Sequence, residues 1–431
     1  MTAAKPRKSL SRRLSRIAVL NQLGPGLITG AADDDPSGIA TYSQAGAQSG
    51  FNLIWTMVLC FPLMVAIQMV SALIGRVTGH GLARNMGEVM PKWLVTGLVA
   101  LLFLANTINL GADLAAMGEA AKLVAGFGEH EFTIAFAVFS LVLQLFIPYR
   151  RYARFLTVLT LSLFAYVAVL FFIHLDWPKI GLSMIGVHAD LSRGAATTIV
   201  ALFGTTISPY LFFWQSAQEV EEVDQRKWAK PLLEAPVQAK RALHRIRVDT
   251  VVGMFFSNAI SVAIIISTAA TLNQAGVTNI QTAADAAKAL APLAGPFASL
   301  IFALGIIGTG LLAIPVLAGS AAYAVGESRG WKIGLDNMPW EAKGFYAVIG
   351  TAMILGLGID YSGLDPIKAL YWSAVLNGVI AVPMMIAMMY VAGHRRKMGA
   401  FRVGPVLGAM GWASTLVMAA ATAAMIYVSV A

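Results

Sequence analysis

The sequence predicts an all-α polytopic membrane protein of eleven transmembrane helices, two of them broken at mid-span. Three observations predict it. Hydrophobic residues make up 58% of the 431 and charged residues only 12%, where an average soluble domain carries about 25% charge. Apolar stretches long enough to cross a bilayer recur from one end of the chain to the other. Lys and Arg gather in the short segments between those stretches, and they do so on alternate sides. The short alternating segments of a β-barrel are absent.

The spans run over residues 23–49, 51–76, 93–122, 131–148, 152–174, 195–222, 248–271, 296–325, 340–358, 366–391 and 406–430. The even-numbered spans lead into basic segments. These hold Arg76 and Arg84; Arg150, Arg151 and Arg154; Arg226 to Arg247; Arg329, Lys332 and Lys343; and Arg395, Arg396, Lys397 and Arg402. The opposite segments are poor in Lys and Arg, and their acids include Glu129, Glu131, Asp176, Asp190, Asp285 and Asp360. The positive-inside rule then places the N-terminus in the cytosol and the C-terminus outside a cell membrane. Residues 1–22, with Lys5, Arg7, Lys8, Arg12, Arg13 and Arg16, read as a basic cytosolic tail attracted to anionic lipid. The net charge of +9 is accounted for by these loops, so it points to the bilayer as partner and not to nucleic acid. The lone Cys60, in an apolar run, supports neither a disulfide nor a thiolate metal site. The stretch Arg226 to Arg247 reads as a cytosolic loop with at most a short surface helix.

The first and sixth spans carry the breaks. One reads Gly24-Pro-Gly-Leu-Ile-Thr-Gly-Ala-Ala-Asp-Asp-Asp-Pro-Ser-Gly38, the other Ala201-Leu-Phe-Gly-Thr-Thr-Ile-Ser-Pro-Tyr-Leu211. In each, a polar residue stands directly before a proline. Proline removes a backbone donor and pushes the preceding residue out of helical geometry. Backbone freed at membrane depth is tolerated only inside protein or beside a cavity. Breaks five spans apart imply two halves of opposite topology with a site between them. The halves are 23–174 and 195–391, and 406–430 forms a peripheral eleventh span.

Asp33, Asp34 and Asp35 are the most informative residues. A charge at mid-membrane costs at least ~2.5–3.5 kcal/mol on insertion scales. Adjacent carboxylates also repel one another unless a cation or proton intervenes. Hard oxygen ligands beside unwound carbonyls suit a hard cation. Successive residues cannot all face one point, so one acid is free to pair elsewhere.

The run from Gly24 to Gln48, with Asp35-Pro36-Ser37-Gly38 and Gln44-Ala45-Gly46-Ala47-Gln48, resembles the first span of the NRAMP family of divalent metal transporters. The family's signature there is Asp-Pro-Gly-Asn. Its sixth-span Met-Pro-His corresponds to Ser208-Pro209-Tyr210, and Asp113-Leu114-Ala115 fits its third span. The resemblance implies a LeuT-like five-plus-five inverted repeat, no catalysis and no bound cofactor. Nothing in it sets an oligomeric state, and a monomer is the expectation. By that resemblance Asp35 keeps the family's metal-binding Asp, Gly38 replaces its Asn and Ser208 its Met. Carbonyls of Ala32 and Thr205 complete the set, with Asp34 as a further candidate.

Replacing a thioether by a hydroxyl removes the preference for softer metals, and losing a side chain at Gly38 is expected to widen the pocket. Both changes point to a hard cargo, Mg²⁺ or Mn²⁺, moved into the cytosol by alternating access. Proton coupling is expected to be weak or absent. Asp113 keeps one acid of the family's route, but Asn106, Ala116 and Tyr210 stand at its other positions. Asp113 is expected either to relay protons alone or to pair with Asn109, and Glu119 to sit at the outer interface. Gln44, Asn377 and Asn258 are weaker candidates for the site. Gln218, Glu219, Glu221 and Glu222 read as a solvated helix end that could guide a departing cation. Two other functions compete: a proton-coupled Mn²⁺ or Fe²⁺ importer, and an amino-acid transporter of the same fold, whose substrate carboxylate the three aspartates would repel.

Overall fold

The computed structural model describes residues 25–147, 160–187, 192–226 and 228–430. The basic tail, Arg150, Arg151, Arg154 and Asp190 lie outside them. The described chain is helical, without strands. The first span is split into α1 (Pro25–Asp33) and α2 (Pro36–Ser49). The second is α3 (Ile54–Thr78), and a short α4 (Leu82–Val89) lies in the loop after it. The third and fourth are α5 (Lys92–Ala125) and α6 (Glu129–Phe146). Part of the expected fifth span lies outside the described residues. What is described is a 3₁₀ turn (Thr160–Leu163), α7 (Phe164–Val169) and then α8 (Trp177–Met184).

The sixth span is split into α9 (Arg193–Thr206) and α10 (Pro209–Gln225). The rest are α11 (Ala239–Thr268, ending in a π turn), α12 (Ala298–Arg329), α13 (Lys343–Asp360), α14 (Pro366–Gly393) and α15 (Pro405–Val430).

Among the described residues, nine helical stretches are long and apolar enough to cross a membrane. They correspond to the expected second, third, fourth and sixth to eleventh spans. The first is missing from that set because its middle carries three adjacent acids, Asp33, Asp34 and Asp35.

Side-chain bonds sort the loops into two ends. At one end, Arg76 bonds the Lys230 carbonyl, Glu327 accepts from the Arg84 N–H, Gln225 meets Asp336, and Lys397 meets Glu88. At the other, Gln44 bonds the 278–280 backbone, Glu119 accepts from the Ala283 N–H, and His130 meets Asp360. Among the described residues, loops after the second, sixth, eighth and tenth spans thus join one another at a basic end. Those after the first, third, seventh and ninth join at the opposite end.

The seventh span corrects the sequence reading. Its helix begins at Ala239 and not near 248, so Arg241, Arg245 and Arg247 belong to α11 and not to a loop. A charged first turn looks like loop sequence, yet Arg245 is drawn inward by two acids of α10. The half-helices pack crosswise: α1 lies against α10 and α11, and α2 against α9 and α11. Some of these contacts are backbone on backbone. A Cβ at Gly204 of α9 would stand 2.1 Å from the Ala374 carbonyl of α14, and one at Gly30 of α1 2.5 Å from the Gly253 carbonyl of α11. Small residues allow such close approach between helices in lipid. The periphery is apolar: Val406, Leu416, Ile426 and Tyr427 of α15 and Phe255 of α11 are exposed.

Candidate functional site

The two breaks form for the predicted reason. Pro36 and Pro209 each begin a half-helix, where a missing N–H costs nothing. The residue before each is extended, with ψ 172° at Asp35 and 135° at Ser208. Both are N-caps and both are buried. Asp35 caps with its side chain, Oδ1 accepting from the Gly38 N–H at 2.7 Å. Its other oxygen faces the neighbouring helices. Oδ2 accepts from the Asn109 amide at 3.0 Å and lies 3.3 Å from the Tyr210 hydroxyl. The same hydroxyl lies 3.3 Å from the Ala32 carbonyl. Tyr210 therefore links the second break to two of the predicted ligands of the first.

Asn109 of α5 is the hub of the site. Its amide group donates to Asp35 and, at 3.4 Å, to Asp113 Oδ2. Its oxygen accepts from Ser373 at 2.8 Å and from Asn377 at 3.4 Å, both on α14. An amide has two protons and two lone pairs, and all four are engaged. Asp113 is fully buried and, besides Asn109, has the Ser37 backbone N–H beside its carboxylate. It does pair with Asn109, as one of the two expectations had it. Asn106 donates to the Leu317 carbonyl and Ser320 of α12, which gives this uncharged position a structural use.

Three sequence expectations change, and that for Ser208 and Thr205 gains a detail. Asp34 turns away from Asp35: its Oδ1 accepts from Ser257 at 3.1 Å and Ser261 at 3.4 Å on α11, and Asp33 accepts from Ser257 at 2.6 Å. Successive residues at a helix end point in different directions, so the trio divides between two partners. Gly38 does not widen the pocket. A Cβ there would meet the Tyr42 ring at 3.2 Å and the Thr205 hydroxyl at 3.3 Å, so neighbours already fill that space. Ser208 and Thr205 are paired with each other: the Ser208 hydroxyl lies 2.7 Å from the Thr205 and Gly204 carbonyls. Carbonyls at a helix end lack partners, and a serine one turn on supplies one. Its oxygen lone pairs stay free to accept a cation. Glu219 and Glu222 are not solvated. Both are buried, at 2.5 and 2.7 Å from Arg245, and Arg226 lies 2.5 Å from Glu222.

Of the weaker candidates, Asn377 reaches the hub. Gln44 instead ties α2 to the 278–280 backbone at the end opposite the basic one. Asn258 is only half-buried, and its neighbour Ser257 is the residue that faces inward. Sequence reading missed Ser257, Ser261 and Ser373. The signal was available, since Ser257 and Ser261, Ser373 and Asn377, and Asn109 and Asp113 are each one turn apart in apolar helices and so share a face.

Among the described residues, no group of three His, Cys, Asp or Glu side chains is disposed around one point. A cation between the breaks would be held by one carboxylate with carbonyl and hydroxyl oxygens. Cavities of ≈ 380 and ≈ 360 Å³ open at the basic end, and one of ≈ 510 Å³ opens at the other. None is lined by Asp35, Ser208 or Asp113.

Comparison with known proteins follows this geometry. The divalent metal cation transporters MntH of Caldanaerobacter subterraneus and Aeromonas hydrophila are 25% and 26% identical to the chain, over 95% and 91% of it and 93% and 92% of their own lengths. The solved manganese transporter of Eremococcus coleocola superposes with a TM-score of 0.74 at 16% identity, over 99% of this chain and 88% of that one. Mhp1, a nucleobase-cation-symport-1 family transporter, does so at 0.59 and 15%, over 94% and 93%. At such identities what is shared is the fold, the LeuT fold expected from the sequence. The family model for natural resistance-associated macrophage protein-like proteins matches residues 26–428, and the chain belongs to that Nramp family.

Proposed function

We propose that the protein carries divalent metal cations across the cell membrane, with Asp35 as the principal ligand. One observation carries this reading. The Asp35 carboxylate is buried in the gap of a broken helix, beside the second gap, and no Lys, Arg or His among the described residues pairs with it. A lone carboxylate at membrane depth marks an ion pathway. The family's relatives bear names of divalent metal and manganese transporters, which supports the same cargo class. The Ala32 and Thr205 carbonyls and the Ser208 hydroxyl are the further donors, and Asp34 is left out.

An all-oxygen set favours a hard ion, Mg²⁺ or Mn²⁺, over softer metals. Transport proceeds by alternating access between two halves, residues 23–174 and 195–391, with 406–430 outside them. The basic end faces the cytosol, which puts the N-terminus inside and the C-terminus outside. Coupling to protons is weak or absent, because Asn106, Ala116 and Tyr210 offer no carrier near neutral pH. One observation favours the alternative, a proton-coupled Mn²⁺ or Fe²⁺ importer: the fully buried Asp113, which no ion pair among the described residues reaches, is one amide away from Asp35. The test is uptake of Mn²⁺ and Mg²⁺ into proteoliposomes with an internal pH dye. Competing uptake of both ions without acidification supports the reading. Mn²⁺ uptake indifferent to excess Mg²⁺ and accompanied by acidification supports the alternative. Uptake of neither ion rejects both.

A further inference from the structure

Asp33 and Asp34 take no part in the site just described. They close the C-terminal end of α1, where a half-helix presents unpaired carbonyls and the negative end of its dipole. Facing them, one turn apart on α11, are Ser257 and Ser261. The Ser257 hydroxyl lies 2.6 Å from Asp33 Oδ2 and 3.1 Å from Asp34 Oδ1. A single serine proton serves one of these acceptors at a time. Two buried polar atoms at this spot make no hydrogen bond of acceptable geometry, Asp33 Oδ1 and the Tyr42 hydroxyl. Tyr42 comes from a third element, α2. It is fully buried, and its hydroxyl lies beside Ser261 in the field of both carboxylates. No ion pair among the described residues reaches either acid.

We propose that Asp33, Asp34, Ser257, Ser261 and Tyr42 form a second cation site, separate from Asp35, that binds a monovalent hard cation, Na⁺. Every donor is oxygen, which selects a hard ion. The C-terminal ends of half-helices are where transporters built on broken helices hold coupling ions. Repulsion decides the valence. A second divalent ion would repel one at Asp35 twice as strongly as a monovalent ion would at equal spacing. This step rests on the divalent reading of Asp35, whereas the binding measurement below does not.

The experiment is binding of radioactive sodium to the purified full chain in potassium medium. One Na⁺ per chain is expected in the wild type and in Asp35→Asn, with affinity reduced by about tenfold or more in Ser257→Ala/Ser261→Ala. Asp34→Asn should abolish it. In liposomes, Mn²⁺ uptake should run several-fold faster under an inward Na⁺ gradient, and the double serine variant should lose that dependence. Absence of saturable Na⁺ binding, or binding undiminished in the double variant, overturns the proposal. So does uptake that a pH gradient drives equally well without Na⁺, which would make the pair a proton carrier. Failure of the Asp35 reading shows separately, as Mn²⁺ binding that survives Asp35→Asn.

Discussion

Replacing Tyr210 with Phe should tighten metal binding. The Tyr210 hydroxyl stands 3.3 Å from both the Ala32 carbonyl and Asp35 Oδ2. A phenol has one proton, so it bonds one of them at a time. A cation drawing on both oxygens must displace that bond. Hydrogen bonds to charged groups contribute about 1.5–3 kcal/mol net, and a contact this long belongs at the low end. The ion therefore forgoes about 1.5 kcal/mol, close to a factor of ten in affinity. Tyr210→Phe removes the competitor and keeps the ring. Asp35 retains its bonds to the Gly38 N–H at 2.7 Å and Asn109 at 3.0 Å, so the cap stays in place. Calorimetric titration of the purified variant with Mn²⁺ and Mg²⁺ should show about tenfold higher affinity. A drop of similar size would mean that the phenol oxygen is itself a ligand, and the competition argument would be refuted.

Asp35→Asn should keep the helix cap, since Asn caps as well as Asp, yet lose Mn²⁺ binding by about a hundredfold or more. Unchanged thermal unfolding with no calorimetric signal is the expected pair of results. Arg245→Ala leaves Glu219 buried without its cation and Glu222 with Arg226 alone, and should cost about 3–5 kcal/mol, read from unfolding in detergent. Adding Glu219→Gln and Glu222→Gln should recover most of it. Ser208→Met should raise the ratio of Mn²⁺ to Mg²⁺ affinity, because a thioether favours the softer ion; a ratio that stays put removes residue 208 from the ligand set. Gly204→Ala puts a methyl 2.1 Å from the Ala374 carbonyl, where only backbone could yield. The loss should exceed the ~1–3 kcal/mol of ordinary overpacking, seen as a fall in the yield of folded protein.

Much of this was legible in the sequence, because proline and apolar length act locally. Asp35-Pro36 and Ser208-Pro209 break their helices where a polar residue precedes the proline, whereas Pro62, Pro315 and Pro383, each after an apolar residue, lie inside continuous helices, and the alternation of Arg-rich loops orders the spans. What was not legible depends on partners far apart in the chain. Asn109 meets Asp35 from 74 residues away; Asp113 one turn on marks its polar face, but not the distant residue it meets. Arg245 sits among residues that look like a basic loop, and only the acids of α10 show why it is drawn inward. The filling of space around Gly38 by Tyr42 and Thr205 involves three separate turns of helix. A missing side chain in a sequence reads as a void until the packing around it is known.

The closeness of Gly204 to Gly378 sets a rule for motion. A Cβ at Gly378 would stand 2.7 Å from the Val200 carbonyl, just as one at Gly204 strikes Ala374. With no side chains between them to act as a bearing, α9 and α14 cannot slide past each other by a turn. Whatever rearrangement gives access to the centre must carry these two helices together as a single lever and find its pivot elsewhere.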